Sequence, residues 1–270
     1  MVRFQDDHLL ALQEARREFR RDREERAPKS GSGWFSSLNL DVSLRPPGVE
    51  HYTSKPNRKE LFDLVADGRQ DTVAVCASIM AWGGMRADHG RKLFTEQKSW
   101  RAAAEEIRFT GKTRIKAYSI LSQQRALGHL PGMGPAYFTK LIFFLRGRDV
   151  ADPGYIMDQW TGCSINLLTG NPSLVLMEAT YRWAGPTQLR SDFRVSDQNC
   201  PTHYERFCKA LDEVAIRVAL DPIDAELLLM SEGRGRGSWR NYVIQNRQVP
   251  RMTTGVALTT NDDNLGLSES

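Results

Sequence analysis

Lys140 and Asp158 lie eighteen residues apart, in "LPGMGPAYFTKLIFFL" and "YIMDQWTG", just beyond a glycine-made corner. Lys140 is the single charged residue of an apolar run. Burial among such neighbours disfavours the ammonium and yields an amine able to attack an electrophile. In an open site the same side chain would bind phosphate or hold a carboxylate in place. Asp158 stands at the start of a helical segment. There a carboxylate can cap backbone amides, or stabilise positive charge that develops on a substrate. Within the corner, Gly132 and Gly134 admit backbone angles closed to other residues, and Pro135 suits the first helical position. The amides of Gly132, Met133 and Gly134 are therefore expected at the positive end of a helix, where they would bind phosphate without a charged side chain. A plain tight corner between two helices would use the same glycines.

The elements that must position these groups read as helices. Asp6 to Arg26 is a charged helix with a partial apolar stripe at Leu9, Leu10, Leu12 and Phe19. "PKSGSG" breaks the chain, and "WFSSLNLDVSLRPPG" reads as a short extended segment. From Asn57 the pattern is helical: "RKELFDLVADG", "DTVAVCASIMAWGG", "SWRAAAEEIRF" with Ser99 as N-cap, and "TRIKAYSILSQQRAL" with Arg114 and Lys116 outward. After the corner, "DQWTGCSINLL", "NPSLVLMEATYRWAG", "PTHYERFCKALDEVAIRVAL" and "DPIDAELLLMS" continue the helical reading. Strand signals are scarce, so the fold class is mainly α. The net charge of +4 and pI near 8.9 suit a nucleic-acid partner without demanding one. Four cysteines form no C-x-x-C pair, which removes zinc-ribbon and iron–sulfur spacings. Cys76 and Cys163 lie in apolar runs, as reduced core thiols would. With no signal peptide or membrane-length run, a cytoplasmic location is expected.

"L-P-G-x-G", an apolar helix, a loop and then the aspartate of "YIMDQWTG" resemble the helix–hairpin–helix DNA glycosylase superfamily, of the 8-oxoguanine DNA glycosylase kind. The matching block spans Arg114 to Leu168. A looser likeness, through "CASIMAWGGM" and the closing helices, reaches from Asn57 to Ser231 and is similar to prokaryotic 8-oxoguanine-glycosylase-like proteins. The resemblance implies a two-lobed, all-α helix–hairpin–helix glycosylase fold with a base pocket between the lobes. Here it would carry a basic N-terminal helix and a flexible C-terminal tail. It also implies that Asp158 is the catalytic aspartate, since cleavage of an N-glycosidic bond builds positive charge on the deoxyribose that a fixed carboxylate stabilises. Bifunctional members carry a nucleophilic lysine two residues after the second hairpin glycine, where this chain has Ala136. Lys140 lies one helical turn on, and helical side chains lean toward the N-terminus, so its amine can recover most of the lag of about 6 Å. The departure at Ala136 favours a monofunctional enzyme in which water attacks, and leaves an associated AP-lyase step open.

For an extruded base, flat apolar walls are required. Trp82, Tyr155 and Trp160 are the candidates, with Trp34 or Phe35 behind them. Arg86, His89, Arg91 and Lys92 could face the DNA backbone. "GRGRGSWRNY" interleaves Arg234, Arg236 and Arg240 with Trp239 and Tyr242, a pattern able to grip DNA by charge and stacking or to form a surface tail. The expected organisation is an N-terminal helix and extension over 1–56, a glycosylase core over 57–232 and a basic, then disordered, tail over 233–270. Within the core the hairpin falls at about 114–146 and the aspartate region at 152–168. The expected partner is double-stranded DNA with a modified base, bound by a monomer away from membranes and near the nucleoid of a bacterium or archaeon. No cofactor is expected; the one ion the resemblance admits is a monovalent cation at the hairpin. Two substrate classes fit, an oxidised purine such as 8-oxoguanine or a bulky modified cytosine of phage DNA, excised as antiviral defence. A non-catalytic helix–hairpin–helix DNA-binding protein is the alternative.

Overall fold

In the computed structural model, residues 2–20, 26–148, 150–183, 189–231 and 237–247 are described. Two helices that are apolar on every side lie at the centre, as helices of that composition must. One is α4 (Thr72–Trp82), capped by Asp71 and buried at every position from Thr72 to Ala81. The other is α8 (Pro135–Leu145), buried throughout from Phe138 to Leu145, with Lys140 among those residues. They pack on each other, and around them lie α3 (Arg58–Ala66), α6 (Gln97–Phe109) and α7 (Arg114–Ala126). The Arg86-to-Lys92 stretch forms α5 (Ala87–Thr95). Beyond α8 come α9 (Gln159–Thr169), α10 (Pro201–Val218), α11 (Pro222–Leu229) and α12 (Ser238–Asn246). α1 (Asp6–Glu18) packs on α9, α10 and α12. The buried apolar side chains form one continuous cluster, and Phe4, Leu12, Trp34 and Leu38 of the N-terminal segment belong to it. No described helix is long and apolar enough to cross a membrane.

The mainly α reading stands, with local corrections. Ser99 is not an N-cap but lies inside α6, whose N-cap is Glu96, and α1 ends at Glu18 rather than running to Arg26. "WFSSLN" is not extended: Ser30 accepts a hydrogen bond from Gly33 N and caps a short helix, α2 (Gly31–Ser36). "NPSLVLMEATYRW" is not a helix. Met177–Trp183 is strand β1, paired antiparallel with β2 (Leu189–Val195), Met177 opposite Val195 and Trp183 opposite Leu189. Arg114 does not face outward. It is buried and ion-paired with Glu205 and Asp212 of α10, so it ties α7 to α10. The "SWRNY" segment is helix α12, with Trp239 buried and its Nε1 donating to Ser164 Oγ at 2.9 Å. Residues 233–236 and 248–270 of the expected tail, Arg234 and Arg236 among them, lie outside the described residues.

Candidate active site

The corner after α7 turns on local chemistry. Gly128 and Gly132 take φ of +83° and +73°, values at which a side chain is strained. Gly132 is also pressed against α5, since a Cβ there would lie 3.1 Å from His89 Cβ. Gly134 caps α8, and Pro135 takes its first position. Within the described residues no hydrogen bond occupies the amides of Gly132 or Gly134. The Met133 amide differs from expectation. Met133 is fully buried, and its N–H donates to the Leu130 carbonyl at 3.2 Å. Two corner amides, not three, are thus left for an anion.

From the corner, α8 carries Thr139 and Lys140 into the interior, and both are buried. The Lys140 side chain leans back one turn, and Nζ donates to the Ala136 carbonyl at 2.8 Å. Its amine therefore lies level with the position at which the superfamily's lysine was expected. The Tyr137 ring centroid is 5.2 Å from Nζ, and Gly83 at the end of α4 covers the aliphatic stem. A Cβ on Gly83 would stand 2.7 Å from Lys140 Cδ. Burial draws the Lys140 amine below the usual lysine range, while the charges of Asp158 and Glu226 pull it back up.

Asp158 is brought to this lysine by the residue before each of them. Thr139 Oγ1 donates to the Pro135 carbonyl at 2.7 Å and accepts from the Met157 amide at 3.1 Å. That hydroxyl joins α8 to the extended chain leading into α9. On the far side of Asp158, Thr161 Oγ1 donates to the Ile156 carbonyl at 2.6 Å and accepts from the Asp158 amide at 3.0 Å. Asp158 Oδ1 accepts from the amides of Trp160 and Thr161 at 2.8 and 3.1 Å. Oδ2 accepts no hydrogen bond from the described residues, and the side chain is half-buried. One oxygen is fixed at the positive end of α9, and the other carries no hydrogen bond from the described residues.

Behind these groups sits a pair that sequence reading missed. Arg58, at the start of α3, and Glu226, in α11, form an ion pair with both side chains almost wholly buried. Arg58 lies over the rings of Trp82 and Phe143, 5.4 and 5.2 Å from their centroids. Glu226 Oε1 is buried and, among the described residues, has no hydrogen-bond partner. Burial pushes its carboxyl up to about 7 against the opposing charge of Arg58, and the negative charge of Asp158 adds to the rise. Lys140, Asp158, Glu226 and Arg58 thus form one interacting charge cluster. The available signal was a carboxylate, Glu226, running straight into the apolar "LLLM".

The three expected pocket aromatics part company. Trp82, half-buried, packs edge-on to Phe144 at 5.1 Å and adjoins the Arg58 guanidinium. Trp160, half-buried beside Asp158, has the Arg240 guanidinium 4.3 Å from its ring centroid. Tyr155 does not fit a pocket role. It is fully buried, and its hydroxyl donates to Asp212 Oδ1 at 2.5 Å, on the α10 side of the fold. Trp34 and Phe35 are likewise core residues, Trp34 Nε1 donating to the Met85 carbonyl at 2.8 Å. On α5, Arg86 pairs with Asp88 and Arg91 binds the Leu38 carbonyl, while Lys92 is exposed.

A separate cavity of about 1220 Å³ opens beside α9, lined among others by His8, Asn166, Phe193 and Arg247; neither Asp158 nor Lys140 lines it. Among the described residues, no group of His, Cys, Asp and Glu gathers that could hold a metal ion. The arrangement as a whole sets two backbone amides without a hydrogen bond from the described residues, a carboxylate with one oxygen engaged and a buried amine along one line of chain.

No curated protein and no solved structure matches the chain. A family model does: residues 22–229, which carry the corner, Lys140, Asp158, Arg58 and Glu226, match the family described as "Putative 8-oxoguanine DNA glycosylase OGG-like protein", and the chain belongs to that family.

Proposed function

We propose that the protein is a monofunctional DNA glycosylase that flips a modified base out of duplex DNA and hydrolyses its N-glycosidic bond, with an oxidised purine as the substrate class. The observation that carries this reading is the division of labour within Asp158. Oδ1 is held by two amides of α9, and Oδ2 is left for the reacting sugar. In the reaction the C1′–N bond breaks and its electron pair leaves with the base. The carboxylate stabilises the cationic sugar, takes a proton from water, and the water oxygen bonds to C1′. The corner amides of Gly132 and Gly134 hold a backbone phosphate nearby, and Trp82 and Trp160 flank the extruded base. Lys140 acts as a buried counter-charge. Its Nζ is bound to the Ala136 carbonyl and lies against the Tyr137 ring, while Gly83 closes on its aliphatic stem, which favours water over the amine as nucleophile.

The test is base release from duplexes carrying single modified bases, read as alkali-labile abasic sites. The panel includes 8-oxoguanine and glucosylated hydroxymethylcytosine, with borohydride trapping in parallel. Base release without a trapped adduct is expected, and Asp158→Asn should lower the rate by on the order of 10²–10³-fold while duplex binding persists. A borohydride adduct lost in Lys140→Ala would overturn the monofunctional reading. Undiminished release by Asp158→Asn would remove Asp158 from the chemistry. Release of the modified cytosine alone would replace the purine as substrate class.

A further inference from the structure

A monovalent cation at the hairpin, the one ion the family resemblance admits, would need inward-turned carbonyl oxygens as ligands. Two carbonyls of the corner, those of Leu130 and Met133, are already engaged. Arg125, in the last turn of α7, directs Nη1 at the Met133 carbonyl at 2.9 Å and at the Leu130 carbonyl at 3.3 Å. Its Nη2 is ion-paired with Asp197, in the segment between β2 and α10. Asp197 itself lies close against the corner, since a Cβ on Gly134 would be 3.1 Å from Asp197 Oδ1. The guanidinium thus occupies two corner oxygens that an ion seated here would need. An ion brought to them would also meet a fixed positive charge. The residues present do not fit a bound cation.

We propose that Arg125 is the hairpin's built-in cation. A guanidinium anchored on α7 holds the two carbonyls inward, which keeps the Gly132 and Gly134 amides turned toward the anion. It also places a fixed positive charge behind them. Met133 cannot rotate its peptide without losing this bond. Asp197 orients the guanidinium from its other edge. The consequence for DNA rests on the reading of the corner as a phosphate grip: binding is indifferent to which monovalent cation is present, provided ionic strength is constant.

Two measurements separate the inference from that reading. The first is DNA-free: the melting temperature of the protein in potassium, sodium or tetramethylammonium chloride at one ionic strength. Wild type is expected to melt alike in all three. Arg125→Ala is expected to melt lower by about 3–10 °C in tetramethylammonium, which is too large to enter the loop, and to regain part of that loss in potassium or sodium. The second is duplex binding by fluorescence anisotropy in the same salts. Wild-type Kd should be equal within about twofold, whereas Arg125→Ala should bind about tenfold more weakly in tetramethylammonium. Arg125→Lys, which keeps a charge but only one direction of donation, should fall between the two and serves where the alanine variant does not fold. A wild-type melting temperature that rises specifically with potassium or sodium would overturn the proposal. So would an Arg125→Ala variant that melts as wild type does in every salt. Absent duplex binding alongside the expected melting pattern would instead refute the phosphate grip and leave the role of Arg125 standing.

Discussion

Thr139→Val tests how Asp158 is delivered to Lys140. The substitution preserves the branched shape in a fully buried site and removes one hydroxyl. That hydroxyl accepts from the Met157 amide at 3.1 Å and donates to the Pro135 carbonyl at 2.7 Å. Valine leaves the Met157 N–H buried without a partner, which costs about 1–3 kcal/mol. The Pro135 carbonyl suffers less, because a helical carbonyl retains its backbone role. At about 2–4 °C per kcal/mol for a chain of this size, the melting temperature should fall by roughly 2–12 °C. The chain entering α9 is then free to move away from α8, carrying Asp158 with it. Misplacement of a reacting group by about 1 Å can cost on the order of 10²-fold in rate. Single-turnover base release should therefore fall by at least about tenfold, with duplex affinity, proposed to rest on the corner amides, nearly unchanged. Thr139→Ser keeps the hydroxyl and should retain the rate despite losing a buried methyl. A valine variant that is destabilised as calculated yet releases base at the wild-type rate would refute the positioning role of Thr139. Equal loss of rate in the serine variant would refute it as well.

Three other outcomes follow from particular contacts. Gly83→Ala places a Cβ 2.7 Å from Lys140 Cδ, so the buried stem must shift and Nζ must leave the Ala136 carbonyl; a cost of about 1–3 kcal/mol is expected, with base release falling more than DNA affinity. Glu226, an acid whose carboxyl is raised from 4.5 to about 7, contributes stability that is full below 4.5 and is lost as pH rises through 7. Chemical denaturation of the wild type between pH 4.5 and 8 should show that decline, and Glu226→Gln should flatten it even though the variant leaves Arg58 buried without its counter-charge. Tyr155→Phe removes the hydroxyl bonded to Asp212 and should lower stability by about 1–3 kcal/mol, measured by denaturation, with base release per folded molecule unaltered. A selective loss of activity would return Tyr155 to the pocket.

What was legible in the sequence was what short-range chemistry determines. Gly132 and Gly134 mark a turn because glycine adopts +73° at the first without the strain a side chain would bring, and proline after the second opens a helix. The uninterrupted apolar run of α8 could only be central. What escaped depends on partners distant in sequence. β1 is a strand because residues 189–195 pair with it, and its own composition reads equally well as helix. Arg58 and Glu226 meet across 168 residues, and nothing local to either announces the other. Tyr155 shows the opposite error: closeness to Asp158 along an extended chain says little about closeness in space, because successive side chains diverge. Asp158 is the instructive case, since capping and chemistry looked like rival fates for one side chain. They use different atoms. The amides of Trp160 and Thr161 hold Oδ1, so the cap that any helix start could have used becomes the device that aims Oδ2. The proposed catalysis depends on the cap rather than competing with it. The same economy holds at Lys140, where leaning back onto the Ala136 carbonyl both satisfies a buried amine and sets it level with the corner.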